Sequence, residues 1–285
     1  MSEKRTLDFL TDDGVRLAGD GRGPEDGPLV LLLHGGGQTR HAWTSTANRL
    51  AGEGYHVVTY DARGHGDSGW AADGNYALTR HSQDLLGILR GLDKSAALVG
   101  ASMGGTSSLI AASEDASGIE ALILVDIVPD FASEGVQRIR DFMTGSPEGF
   151  ASLDEAAAAV RAYNPNRKSG NPAGLMRNLR EGADGRLRWH WDPKVLDDTP
   201  TAETSKMLGE RLHALPASLP LLLVAGANSD VVDDGAMETF RAQAPQAEIV
   251  SVAKAGHMVA GDRNDAFGDA IRGFLARTLR TAVAG

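Results

Sequence analysis

Short apolar runs punctuate the chain at regular intervals, and amphipathic stretches fill the gaps between them. Residues 28–33, 95–99, 119–126 and 219–225 are such runs, rich in Leu, Val, Ile and Ala, and 55–61 is a further predicted strand. A continuous apolar run of this length predicts a strand buried on both faces. Helical periodicity is expected over 39–52, 81–92, 106–112, 233–244 and 264–278; in the second of these Leu85, Leu86, Ile88, Leu89 and Leu92 share one side. At the start, 5–10 and 14–18 alternate apolar and polar residues around Thr11-Asp12-Asp13-Gly14. Asp-Gly between alternating runs predicts a hairpin. A last short strand is expected over 248–252.

The strand–helix rhythm breaks between 129 and 216. Here the pattern is helical and loop-rich, with helical spacing over 134–142, 153–163, 173–178 and 203–215, and it carries Trp189-His190-Trp191. The fold class that follows is α/β: a mostly parallel central sheet of about eight strands with helices on both faces. The core is expected over 1–128 and 217–285, and a helical cap over 129–216, inserted after the sixth strand.

Composition narrows the function. The 285 residues include no cysteine, which removes disulfides, thiolate chemistry and Cys-ligated metals together. A net charge of −10, with no Lys/Arg cluster, argues against a nucleic-acid partner. The first residues run straight into charged sequence without the apolar core of a signal peptide, and no run is long enough to span a bilayer. The expectation is a cytoplasmic protein without a membrane partner.

Candidate chemistry gathers at strand ends. Gly100-Ala101-Ser102-Met103-Gly104 reads G-x-S-x-G, preceded by a strand and followed by a helix. That context predicts a nucleophile elbow, a turn so tight that glycines are needed where strand and helix approach. Serine is a weak nucleophile and needs a base, usually a histidine that a carboxylate orients. The order Ser102, Asp230, His257 fits, each residue following a predicted strand; Asp126, at the end of the 119–126 run, is the runner-up acid. His34-Gly35-Gly36-Gly37-Gln38 lacks the lysine and spacing of a phosphate loop, so its glycines suit an oxyanion site instead. Met103 fits the same role, because it opens a helix and its N–H has no partner within that helix. His34 is expected to shape the glycine loop. The 61–68 stretch is read as a braced loop, His65 as structural, and His190 as poorly placed for a base. No metal-ligand set and no cofactor is implied.

The segments HGGGQT at 34–39, DARGHGDS at 61–68, GASMGG at 100–105, GANSD at 226–230 and GH at 256–257 together resemble the α/β-hydrolase fold family, in its lidded branch. The resemblance implies a Ser-His-Asp serine hydrolase with an oxyanion hole made by the N–H groups of Gly36 and Met103. It points to a carboxylic ester of small or medium size, cleaved through an acyl-enzyme. Perhydrolase or haloperoxidase chemistry, C–C bond hydrolysis and a ligand receptor are the alternatives. Epoxide hydrolases and haloalkane dehalogenases carry aspartate where this chain has Ser102. Trp189, Trp191 and Phe142, with Met143, are expected to line an apolar pocket under the cap. The partner is a small-molecule ester, and the sequence leaves oligomeric state open.

Overall fold

A computed structural model of the chain describes residues 3–163, 172–197, 200–253, 255–257 and 264–279. The opening hairpin pairs β1 (Arg5–Leu10) with β2 (Arg16–Arg22). Then follow β3 (Leu29–Leu33), α1 (Thr44–Gly52), β4 (His56–Tyr60), α2 (Leu78–Leu92), β5 (Ala96–Ala101), α3 (Met103–Glu114) and β6 (Ile119–Val125). The insertion holds α4 (Ser133–Thr144), α5 (Leu153–Tyr163), β7 (Leu179–Glu181), β8 (Leu187–Trp189) and α6 (Ala202–His213). The chain closes with β9 (Leu221–Gly226), α7 (Asp234–Gln243), β10 (Glu248–Val252) and α8 (Gly268–Thr278).

Eight strands form one sheet in the order β1-β2-β4-β3-β5-β6-β9-β10. β2 runs antiparallel to β1 and β4, and every other pairing in this sheet is parallel. Successive residues of each central strand enter opposite core layers. Leu29, Leu31 and Leu33 meet α2 and α3 on one face; Val30 and Leu32 meet α1 and α8 on the other. Both faces are covered, which is why these strands read as unbroken apolar runs.

β2 extends further than the alternation suggests, because Gly19-Asp20-Gly21-Arg22 looks like loop sequence. The glycines fit between strands: a Cβ on Gly19 would lie 3.0 Å from the Phe9 ring and 3.1 Å from the Thr59 carbonyl. Asp20 is buried and paired with Lys4, Arg22 and Arg40.

Within the insertion a separate apolar cluster forms around Met143, Phe150, Val160, Leu179, Trp189 and Trp191. The short hairpin β7–β8 inside it was not signalled by the helical pattern. α6 behaves differently: Leu208, Leu212 and Leu215 join the core cluster, and the helix packs on α3. The part of the 129–216 stretch that packs apart from the core therefore ends before α6. Among the described residues no helix is long and apolar enough to cross a membrane.

Candidate active site

Ser102 follows β5 directly and precedes α3. Its φ is 47° and ψ −115°, a left-handed conformation that costs a non-glycine residue on the order of 1–3 kcal/mol. The flanking glycines make the turn possible. A Cβ on Gly100 would stand 2.4 Å from the Gly104 carbonyl carbon, and one on Gly104 would stand 2.7 Å from the His34 carbonyl oxygen. The turn lifts Ser102 into a cavity of about 220 Å³ that His257, Gly36 and Met103 also line.

His257 is buried, and its Nδ1 lies 2.8 Å from Oδ2 of Asp126. The Asp126 carboxylate also accepts from the Gly226 N–H at 2.9 Å and from the Ser229 hydroxyl at 2.8 Å. Asp126 is the first residue beyond β6, with φ 53°. The favoured acid, Asp230, is not beside the histidine. Its carboxylate takes the Arg138 guanidinium at 2.9 Å, on the partly exposed side of α4. The cause is local geometry. Asp126 leaves a buried strand end directly, whereas Asp230 lies four residues past β9, behind a turn in which the Ser229 N–H bonds the Gly226 carbonyl. A sequence signal was available: a carboxylate that follows the unbroken apolar run 121–125 of a central strand is buried and must find donors. Lys254 and Met258, part of the predicted histidine loop, lie outside the described residues.

The glycine loop is pinned on either side of Gly36. The Gly35 N–H donates to the Gln38 side chain at 3.0 Å, and the Gly37 N–H to His65 Nε2 at 3.2 Å. The N–H groups of Gly36 and Met103 have no partner among the described residues. Two free donors beside Ser102 are what a developing oxyanion needs.

Three buried histidines hold this loop as neutral rings. His34 Nε2 accepts from the Ala62 N–H at 2.9 Å, which leaves its Nδ1 to donate to the Gly35 carbonyl at 2.8 Å. His65 accepts from Gly37, so its Nδ1 donates to the Arg63 carbonyl at 3.0 Å. His190, from the insertion, accepts the Gly66 N–H at 2.7 Å, and its Nε2 faces the Gly37 carbonyl at 3.3 Å. Burial pushes His34 down to about 4 and His65 to about 3. The expectations for His34 and His65 thus agree with their hydrogen bonds, and His190 serves as a brace.

The 61–68 loop is braced by charge. Asp61 is buried and accepts from the Arg40 and Asp67 N–H groups at 2.6 and 2.8 Å while pairing with the Arg40 guanidinium. Arg63, fully buried, meets Asp84 at 2.6 and 2.7 Å and Asp13 at 2.9 and 3.1 Å.

The expected aromatic lining does not form. Trp189, Trp191 and Phe142 are absent from the cavity wall. Trp189 and Trp191 stack with centroids 5.1 Å apart, and Phe142 packs against Trp189 at 5.5 Å, inside the insertion's own cluster. Large rings gain most where both faces are covered, and the cluster covers them. Mainly aliphatic and sulfur side chains take the wall instead, Val136, Ile139 and Met143 of α4 with Ile127, Val195 and Leu196, and Phe131 and Tyr76 supply rings there.

Residues 28–263 match the model of the alpha/beta hydrolase fold family. The chain belongs to that family, and a hydrolase is the class that its fold and relatives define. It is 32% identical over 257 residues to an sn-1-specific diacylglycerol lipase of Mus musculus, covering 87% of this chain and 81% of that one. It is 30% identical to an esterase of Mycobacterium tuberculosis, covering 87% and 83%. Among solved structures, an alpha/beta hydrolase of Novosphingobium aromaticivorans superposes with a TM-score of 0.79 at 26% identity, over 97% of this chain and 99% of that one.

Proposed function

We propose that the chain hydrolyses carboxylic esters of small or medium size through an acyl-enzyme. Ser102 attacks the acyl carbon, and His257 takes its proton at Nε2 and passes it to the leaving alcohol. Asp126 holds the ring by its Nδ1–H and stabilises the charge that forms there. The N–H groups of Gly36 and Met103 receive the tetrahedral oxyanion, where a single donor is worth about 3 kcal/mol of barrier. Water, activated by His257, then releases the acyl group.

The observation that carries this reading is the convergence in one cavity of the strained Ser102, the Asp126-paired His257 and two unpaired backbone donors. The relatives named as esterase and lipase support the same class of bond. The aliphatic wall suits an apolar acyl or alcohol group. The test is hydrolysis of a p-nitrophenyl ester series by wild type and Ser102→Ala. Turnover by wild type that is lost in the folded variant is the expected result, and undiminished turnover by purified Ser102→Ala overturns the mechanism.

A further inference from the structure

His81 stands in the first turn of α2, on the inward stripe that also holds the half-buried Leu78 and the buried Leu85. Its side chain lines the same cavity as Ser102 and is 5% exposed. A leucine would suit the site by packing alone. Unlike its neighbours, the ring has no hydrogen-bond partner among the described residues.

The other polar side chains on the non-catalytic wall are engaged within the protein. His65 uses both ring nitrogens. The Tyr76 hydroxyl donates to Asp192 at 2.6 Å and accepts the Ala71 N–H. Thr106 donates to the Ser102 carbonyl, Thr204 caps α6 with Thr201, and Arg140 donates to the Leu196 carbonyl. On that wall, His81 is the histidine whose ring nitrogens have no hydrogen-bond partner among the described residues. Burial, then the neighbouring His65, Arg63 and His34, push its pKa down to about 3. The ring is therefore neutral at ordinary pH and presents one donor and one acceptor.

His81 and Met103, the residue after Ser102, both line the main cavity and a void of about 10 Å³ behind it. When an apolar substrate expels water from such a cavity, an unpaired imidazole is left desolvated, which is unfavourable. A substrate with its own polar atom at that point avoids the cost.

We infer that His81 is a substrate-recognition residue selecting esters that carry a second oxygen, a hydroxyl or an oxo group, on the part of the substrate that fills this cavity. The inference rests on the ester-hydrolase reading above and names the substrate class of that same site. A hydroxyl donates to the bare ring nitrogen, and an oxo group accepts from the ring N–H.

The test compares kcat/KM for ethyl butanoate, ethyl 3-hydroxybutanoate and ethyl 3-oxobutanoate in wild type, His81→Leu and His81→Gln. Each variant is compared with wild type on the same esters, so intrinsic reactivity cancels. The ratio of oxygenated to plain ester should fall about tenfold in His81→Leu, the scale of one buried hydrogen bond, and recover in His81→Gln, which keeps a donor and an acceptor. The arm that falls further tells hydroxyl from oxo. An unchanged ratio in His81→Leu, or an equal fall in His81→Gln, overturns the inference.

A second measurement needs no His81 variant. Ser102→Ala should bind ethyl 3-hydroxybutanoate or ethyl 3-oxobutanoate about tenfold more tightly than ethyl butanoate, again the scale of one buried hydrogen bond; equal affinity for all three overturns the inference. If folded wild type turns over neither these three esters nor the p-nitrophenyl series, the ester-hydrolase reading falls, and the binding comparison still decides His81.

Discussion

His257 Nδ1 and Asp126 Oδ2 meet at 2.8 Å across 131 residues of sequence, joining the loop after β10 to the end of β6. Asp126 also receives Gly226, the last residue of β9, and Ser229 from the loop after it, so one carboxylate ties three neighbouring strand ends together. Asp126→Asn should lower kcat by about 10⁴-fold, since an amide favours the wrong histidine tautomer. Asp230→Asn should change it little, because that substitution gives up a partly exposed ion pair with Arg138 and nothing at the histidine. Steady-state kinetics on one ester decides; the reverse ranking would restore Asp230 as the acid.

Gly104→Ala tests the elbow. The added methyl would meet the Leu33 and His34 carbonyls and the Leu33 Cβ, each at 2.7 Å, and backbone there has little room to yield. Destabilisation of about 1–3 kcal/mol is expected, with loss of activity as β5 and α3 separate. The urea midpoint reads the first and ester hydrolysis the second.

The insertion's two populations of side chains should respond differently. Val136→Phe narrows the cavity and should shift preference toward shorter esters, raising KM for long ones. Trp189→Phe trims a ring held among Phe142, Phe150 and Trp191, so it should lower Tm while KM stays near the wild-type value. A shift of chain-length preference in Trp189→Phe would mean that the ring reaches the substrate.

Acid should unfold the protein through its buried rings. His34 titrates near 4 and His65 near 3 when folded, because burial disfavours their charged forms, against about 6.5 when unfolded. Above about pH 6.5 both states are neutral at these sites and nothing changes. Below it the unfolded chain binds protons that the folded chain refuses, so stability falls as pH drops from about 6.5 toward 4. Urea midpoints at about pH 7, 6 and 5 should decline, and less steeply in His65→Gln. An identical decline in that variant would assign the acid sensitivity to other groups.

Much of this was legible in the sequence because burial leaves a plain record. Strands covered on both faces are apolar at nearly every position, so 28–33 and 119–126, interrupted before its end only by the exposed Glu120, declare themselves. A turn as tight as that at Ser102 needs Gly100 and Gly104, which stand out for the same reason. What escaped depends on direction rather than type. Asp126 and Asp230 both close strands, and only backbone geometry decides which carboxylate meets His257. Trp189 and Phe142 had the apolar surface of a pocket wall, but the same surface serves equally well in the insertion's own cluster. His81 passed as one more position of α2, since spacing does not reveal that a ring lacks a partner.

The footing of the insertion has a consequence for engineering. His190 braces Gly66 and Gly37, a Cβ on Gly37 would meet Trp191 at 3.4 Å, and the Asp192 N–H bonds the Gly64 carbonyl. By chain position His190, Trp191 and Asp192 belong to the insertion, but they hold the loop that carries Gly36. A chimera built by swapping the whole 129–216 segment would discard the brace along with the old lining. The workable graft keeps 190–192 with the recipient and exchanges α4, so that a new specificity arrives without dismantling the turn beneath it.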